Sequence, residues 1–250
     1  MKRALRIFGI VFASLLPWLL SFPAYGTSLI NNRSVCRLGV SLAIKSLQHG
    51  HASGTPWEQS VSLAALQGDN LILKFLFGMN PSMADPYMRQ QWENNALNLA
   101  VRAGHLQTTT FLIDMGAQVN AKARSLIVGG ATAKNARPPQ MEKSATWPAG
   151  TPLANSVQCG RARTAQLLLD RGANMYASDT GEQPNTHGDV VVNAIISRSE
   201  KIVNVFISHH LDPCKVVVAG GLTLQQLAAR EGFPLSVQRS LSCPNNQHVH

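Results

Sequence analysis

Ser41 lies in the stretch Gly-Val-Ser-Leu-Ala (39–43), where a serine among small residues raises the question of nucleophilic catalysis. A nucleophile elbow needs the full Gly-x-Ser-x-Gly pattern on a sharp turn between a strand and a helix. Here the second glycine is missing and the surrounding apolar spacing is helical. A hydrolase with a cryptic site is therefore the least favoured function.

Three further motifs could suggest cofactor or metal binding. The stretch VGGATAK (128–134) ends in lysine but lacks the glycine that precedes the lysine of a phosphate loop. His209 and His210 would point about 100° apart on a helix, which does not favour a shared metal ion. His248 and His250 lie in a polar tail without further ligands at metal-binding spacing. The sequence predicts no cofactor and no metal site.

Acidic residues are also scarce, since the chain has 13 Asp and Glu against 22 Lys and Arg. No two carboxylates are spaced so that they would converge as a general acid and base. We therefore predict that the protein is not an enzyme and that it has no catalytic residues.

The N-terminal residues predict export. A basic start is followed by the apolar run Ile7–Phe22, and Ala24 and Gly26 are small. This pattern is typical of a signal peptide over 1–26, cleaved between Gly26 and Thr27. The 16-residue run is shorter than the roughly 20 residues that span a bilayer. We expect a periplasmic or secreted protein with no stable membrane insertion.

Cleavage would lower the formal net charge from +9 to +6. A net positive charge of this size favours binding to an acidic protein or to an anionic lipid surface. Nucleic acid is the least favoured partner, because an exported protein does not meet it.

An internal repeat organises the chain. NALNLAVRAGHLQTTTFLIDMGAQVNAKA (95–123) aligns with TPLANSVQCGRARTAQLLLDRGANMYASD (151–179) in its apolar positions, its central glycine and its closing Gly-Ala. Divergent copies turn at Gly68, at Arg198 in place of a glycine, and at Gly232. The turns are 36, 56, 38 and 34 residues apart, and the long interval contains an insertion at 124–150.

These motifs resemble ankyrin repeats, through TPLANS, AGHL, FLIDMGAQVNA and LLLDRGAN. The resemblance implies an all-α solenoid of stacked helix-turn-helix units with finger loops. We expect about five repeats over 55–243, preceded at 27–54 by an N-terminal capping helix or a degenerate repeat. Residues 244–250 are expected to be a disordered tail. His105 stands where ankyrin repeats carry a turn histidine, which implies a scaffold role.

Proteins that resemble ankyrin arrays generally bind other proteins through a concave face of inner helices and finger loops. Carrying this over position by position predicts partner contacts just before each turn, and the basic insertion with its tryptophan adds further candidates. The predicted partner-binding residues are Gln67, Arg102, Gln158, Ile196, Arg230, Lys134, Arg137, Lys143 and Trp147.

Four cysteines allow three complete disulfide pairings. Cys214 follows the close of one repeat and Cys243 ends the next, so stacking should bring them together as a staple on the last repeat. Cys159 is expected to be a buried thiol, and Cys36 has no evident partner. Other connectivities stay open at this stage.

Three hypotheses for function follow. The leading one is a periplasmic protein-binding module, monomeric by default, whose partner is another exported protein. A more specific form is an immunity protein that neutralises a toxic effector acting in the periplasm. The second is a structural or stress-protective envelope scaffold, and the third is the hydrolase.

The insertion generates a first prediction. Residues 124–150 carry a net charge of +3 and interrupt repeats that otherwise keep their register. Deletion of residues 125–145 should leave the repeats folded and weaken partner binding, which thermal melting and a binding titration would measure. A collapse of the melting temperature, with binding lost in parallel, would contradict this interpretation.

Overall fold

Pairs of short helices, each pair joined by a tight turn, make up most of the described part of the molecule. The structure is a computed structural model that describes residues 32–49, 55–79, 85–122, 127–128, 145–146, 150–176, 190–218 and 220–243. The predicted signal peptide and the predicted C-terminal tail lie outside these residues. The described α-helices are α1 (Asn32–Gln48), α2 (Pro56–Gln67), α3 (Asn70–Met79), α4 (Pro86–Ala103), α5 (Leu106–Asp114), α6 (Pro152–Gln158), α7 (Ala162–Asp170), α8 (Val190–Ile196), α9 (Glu200–Ser208), α10 (Leu224–Arg230) and α11 (Leu235–Ser240), and a short 3-10 helix covers Pro213–Lys215.

The first helix of several repeats begins at a capping residue. Thr55, Thr151 and Thr223 each accept a hydrogen bond from a backbone N–H in the first turn of the helix that follows. The side chains of Glu58 and Gln226 in turn accept hydrogen bonds from the backbone N–H groups of Thr55 and Thr223, which completes two capping boxes. These caps satisfy donors that would otherwise lack a partner at the helix start.

The pairs α2/α3, α4/α5, α6/α7, α8/α9 and α10/α11 form five stacked repeats. Each first helix packs on the next, from α2 through α4, α6 and α8 to α10, and α5, α7 and α9 pack in the same order behind them. A continuous core results, and Leu97, Leu153, Ile195, Phe206 and Leu227 are among its fully buried side chains. The predicted all-α repeat solenoid is confirmed.

The turns inside the repeats depend on glycine for two reasons. Gly68 and Gly104 have φ of 78° and 88°, which a residue with a Cβ rarely adopts. A Cβ on Gly68 would also lie 2.8 Å from the ring of His105, and one on Gly104 would lie 2.8 Å from the guanidinium of Arg161. The side chain that follows each turn therefore packs on the turn of the preceding repeat.

His105 and Arg161 have the same position in consecutive repeats and make the same kind of contact. His105 Nε2 donates to the Leu66 carbonyl at 2.8 Å, and Arg161 donates to the Arg102 carbonyl at 3.3 Å. Leu66 and Arg102 are themselves equivalent residues. The structure thus places His105 as a bridge between two repeats, in the scaffold position that the sequence analysis expected.

The insertion between α5 and α6 does not interrupt the stack. A two-stranded antiparallel ladder, β1 (Ile127–Val128) and β2 (Ala145–Thr146), brings the two ends of the insertion together. On either side of it, α4 packs on α6 and α5 on α7. These strands are a small addition to an otherwise helical architecture.

Ion pairs join neighbouring repeats at the ends of their second helices. Arg171 donates to Asp114 at 2.6 Å, and His209 donates to Asp170 at 2.9 Å, one repeat further along. The other ring nitrogen of His209 donates to the Val205 carbonyl at 2.8 Å. Because both nitrogens act as donors, the arrangement suits the imidazolium, and these bonds, that with Asp170 first, raise the pKa of His209.

A pH dependence follows from this pair. With its folded pKa above the unfolded value, His209 stabilises the fold fully below about pH 6.5, and its contribution disappears as the pH rises through the folded pKa. As the pH rises from about 6 to about 8, deprotonation of His209 should lower the free energy of unfolding. The loss should be less than about 1 kcal/mol, because the pair is partly exposed to solvent. Urea titrations would measure this, and Asp170→Asn should flatten the dependence. An unchanged pH profile in that variant would rule out the assignment.

Candidate protein-binding face

Helix α1 lies across the first helices of three consecutive repeats. It contacts α2, α4 and α6, and it also contacts β1 at the base of the insertion. We call the side formed by the first helices and finger loops the concave face. The helix expected to cap the first repeat does contact that repeat, but it continues along the concave face to the third.

Burial along α4 is consistent with this cover. The seven consecutive residues from Ala96 to Arg102 are all buried. A helix in a two-layer stack is expected to leave one side open to solvent. Here α2 and α6 flank α4, α5 packs behind it, and α1 lies in front.

A disulfide between Cys36 in α1 and Cys159 at the end of α6 fastens this cover. The expectation of a buried free thiol at Cys159 and no partner for Cys36 is therefore wrong, although Cys159 is fully buried. The two Cα atoms lie 5.5 Å apart across 123 residues of sequence. Repeat positions could not predict the pairing, because Cys36 belongs to the one described α-helix outside the repeats.

The second disulfide joins Cys214 and Cys243, the pair that the sequence analysis proposed. Their Cα atoms lie 5.3 Å apart across 29 residues. This bond ties the segment after α9 to the end of α11, so it closes the last repeat and does not involve the concave face.

The structure places the predicted contact residues in different environments. Gln67, Gln158 and Arg230 are exposed, and Ile196 is half-buried. Arg102 was expected to be exposed with them, but only 7% of its surface is accessible, so the expectation of exposure is wrong. Lys134, Arg137, Lys143 and Trp147 lie outside the described residues.

Arg102 belongs to a buried polar network between the second and third repeats. Its guanidinium donates to Asn155 at 2.6 Å and to Gln158 at 3.3 Å. The Asn155 amide donates to Asn98 at 2.6 Å, and the Asn98 amide donates to the Asn94 carbonyl at 3.0 Å. Buried polar groups need such partners, so these side chains serve to align α4 with α6.

Position in the repeat separates the covered part of the concave face from the open part. The residue two before each turn is Leu66, Arg102, Gln158, Ile196 or Arg230, in chain order. The first two are buried, at 1% and 7% exposure, and the last three are not. The open part of the face therefore runs from the end of α6 over α8 to α10.

Ser41 is an exposed residue in the middle of α1, not on a strand-to-helix turn. Within the described ranges, no group of three or more His, Cys, Asp or Glu side chains could hold a metal ion. None of the described helices is both long enough and apolar enough to cross a membrane.

The fold and this face define a class of protein, a stacked-repeat scaffold with an extended binding surface. A family model described as ankyrin repeats (3 copies) matches residues 61–179. These residues are ankyrin repeats, and repeats of this family form protein–protein interaction modules that are generally non-enzymatic. No curated protein matches the chain.

Two features of the face escaped sequence reasoning. Arg102 is buried in its polar network with Asn155 and Gln158 of the next repeat, which the repeat pattern does not reveal. The Cys36–Cys159 bond did leave a signal, because pairing Cys214 with Cys243 leaves only these two cysteines for each other. In an exported protein, two remaining cysteines favour a second disulfide.

The burial of Arg102 generates a prediction. Arg102→Ala should lower the free energy of unfolding by about 2–3 kcal/mol, because it leaves the buried Asn155 oxygen without its charged donor. Gln158→Ala removes only the longer of the two bonds at an exposed site and should cost less than about 1 kcal/mol. Chemical denaturation would compare them. A stability loss for Arg102→Ala no larger than that for Gln158→Ala would contradict the network.

Proposed function

We propose that this protein is an exported, non-enzymatic module that binds another exported protein through the open part of its concave face and its inserted finger loop. The observation that carries the proposal is the exposure pattern of one repeat position. Gln158, Ile196 and Arg230 stay accessible where the equivalent Leu66 and Arg102 are covered. An extended row of such positions is the surface that stacked repeats use for recognition.

The cysteines support export. All four are paired, in two disulfides. Structural disulfides form and persist in oxidising compartments such as the periplasm and the extracellular space. Together with the N-terminal signal pattern, this favours a partner in the same compartment.

The chemistry of the open face favours an acidic partner surface with an apolar centre. Arg230 is exposed at the last repeat and Ile196 is half-buried at the one before it. Arg198 and Arg230 both lie 3.3 Å from the Glu231 carboxylate, so the three side chains keep a net positive charge. Arginine beside an apolar position is common in protein interfaces. The net charge of the exported chain has the same sign and would speed association with an acidic protein.

The specific form that we propose is an immunity protein. A binding module of this size neutralises a toxic effector, such as a lipase or a peptidase, by covering its active site. Mixing the purified protein with the product of a neighbouring effector gene tests this directly. Inhibition at one-to-one stoichiometry supports it, whereas capture of several housekeeping envelope proteins would favour the scaffold alternative.

A matched pair of variants tests the face itself. Arg230→Ala should weaken binding of the captured partner by about 5- to 30-fold, which corresponds to 1–2 kcal/mol for an interface arginine. Lys201→Ala removes the same charge from an exposed position on α9, behind the concave face, and should leave the affinity within about twofold. Calorimetric titration would measure both. Equal effects of the two substitutions would count against recognition by the concave face.

A further inference from the structure

Helix α1 is bound to the concave face in the manner of a ligand. Its inward side carries Val40, Ala43, Ile44 and Leu47, at the spacing of three and four residues that puts side chains on one side of a helix. Ala43 and Leu47 are 0% and 6% exposed. An amphipathic helix laid in a groove is a standard mode of peptide recognition.

The groove that receives α1 is formed by α2, α4 and α6. These are the first helices of consecutive repeats, the elements whose equivalents in α8 and α10 have no described helix over them. The groove is therefore a continuation of the surface to which we assign partner binding, and this inference rests on that proposed function. The covered and the open part of the concave face differ in the presence of α1.

Both noncovalent and covalent contacts hold α1 in place. Ala43 and Leu47 are buried, and Val40 and Ile44 are partly buried against the core. On its outward side Leu38 and Leu42 remain 62% and 51% exposed. The disulfide from Cys36 to Cys159 adds a covalent link to these contacts and confines the helix to the groove.

We propose that the groove of α2, α4 and α6 is a binding site for an amphipathic helix, and that the Cys36–Cys159 disulfide controls access to it. With the bond formed, α1 occupies the groove and excludes a partner. With the bond reduced, α1 exchanges with a partner helix that presents small and apolar residues at the spacing of Val40, Ala43 and Leu47.

The redox step needs a dithiol reductant, such as a thioredoxin-like protein. Its thiolate attacks Sγ of Cys36, which is half-buried, because Cys159 is fully buried. The Cys36–Cys159 bond breaks, a mixed disulfide forms at Cys36, and the Cys159 thiolate takes up a proton. The second thiol of the reductant then displaces Cys36. Two electrons pass to this protein, which gains two thiols, and the reductant becomes a disulfide.

The second disulfide provides a matched control. Cys214 and Cys243 close the last repeat and make no link to α1. Hydrogen–deuterium exchange of the oxidised chain should therefore be compared between Cys36→Ser/Cys159→Ser and Cys214→Ser/Cys243→Ser. We expect amides of α1 to exchange at least about tenfold faster in the first variant and at the wild-type rate in the second. Unchanged exchange of α1 in the first variant would overturn the proposal.

A second measurement covers the case in which the first variant does not fold. Wild-type protein is titrated with dithiothreitol while exchange of α1 and far-ultraviolet circular dichroism are followed together. Faster exchange of α1 at concentrations that preserve the helical signal supports the proposal. Release of α1 only together with loss of that signal refutes it.

The groove is then tested with a defined probe. A fluorescent peptide of residues 32–49 carrying Cys36→Ser should bind the Cys36→Ser/Cys159→Ser protein at least about tenfold more tightly than the Cys214→Ser/Cys243→Ser protein. A peptide that also carries Ala43→Asp and Leu47→Asp serves as the negative control. Equal affinity for the two proteins, or none for either, would refute the helix-binding groove. These measurements need no natural partner, so they can fail while binding through Arg230 stands, and the reverse also holds.

Discussion

No helix pair of this protein can bury its own apolar stripe, so every repeat depends on its neighbours. The first helices approach closely enough that Ala100 and Ala228 are completely buried. The same closeness brings the side chain of His105 onto Gly68 and that of Arg161 onto Gly104. Stacking therefore dictates both the small residues inside the helices and the glycines at the turns, and it leaves the ends of the stack to be stabilised separately.

The two disulfides meet that need in different ways. The bond between Cys214 and Cys243 stays within the last repeat, where it opposes fraying of the helix pair that has a neighbour on one side only. The bond between Cys36 and Cys159 ties a helix from outside the repeats to the third one. That helix covers the concave face of the first repeats, which divides a uniform scaffold into a covered and an open part. Burial also differs between Arg102 and Arg230, which are equivalent in the repeat: Arg102 is buried against the next repeat and Arg230 is exposed.

Polar contacts between repeats follow the same periodicity as the core. The pair of Asp114 with Arg171 recurs one repeat later as Asp170 with His209. The turn of the fourth repeat has Arg198 where the other repeats have glycine. Arg198 nevertheless takes a positive φ of 53°, so the backbone conformation of the turn is kept. Local residue identity thus varies while the geometry required by stacking is preserved.

Sequence periodicity was sufficient to predict the helix pairs, their turns and the approach of Cys214 to Cys243, because each of these depends on neighbouring repeats with a known register. It was not sufficient for α1, for the burial of Arg102 or for the bond of Cys36 to Cys159. A segment outside the repeats has no register. Its amphipathic pattern predicts which side of the helix is buried but not which part of the protein that side packs against. By itself, the sequence determined the repeating scaffold, since local spacing and neighbour contacts specify it. The tertiary structure decided which part of that scaffold is open to a partner, since only the docking of α1 across three repeats brings residues 123 positions apart into contact.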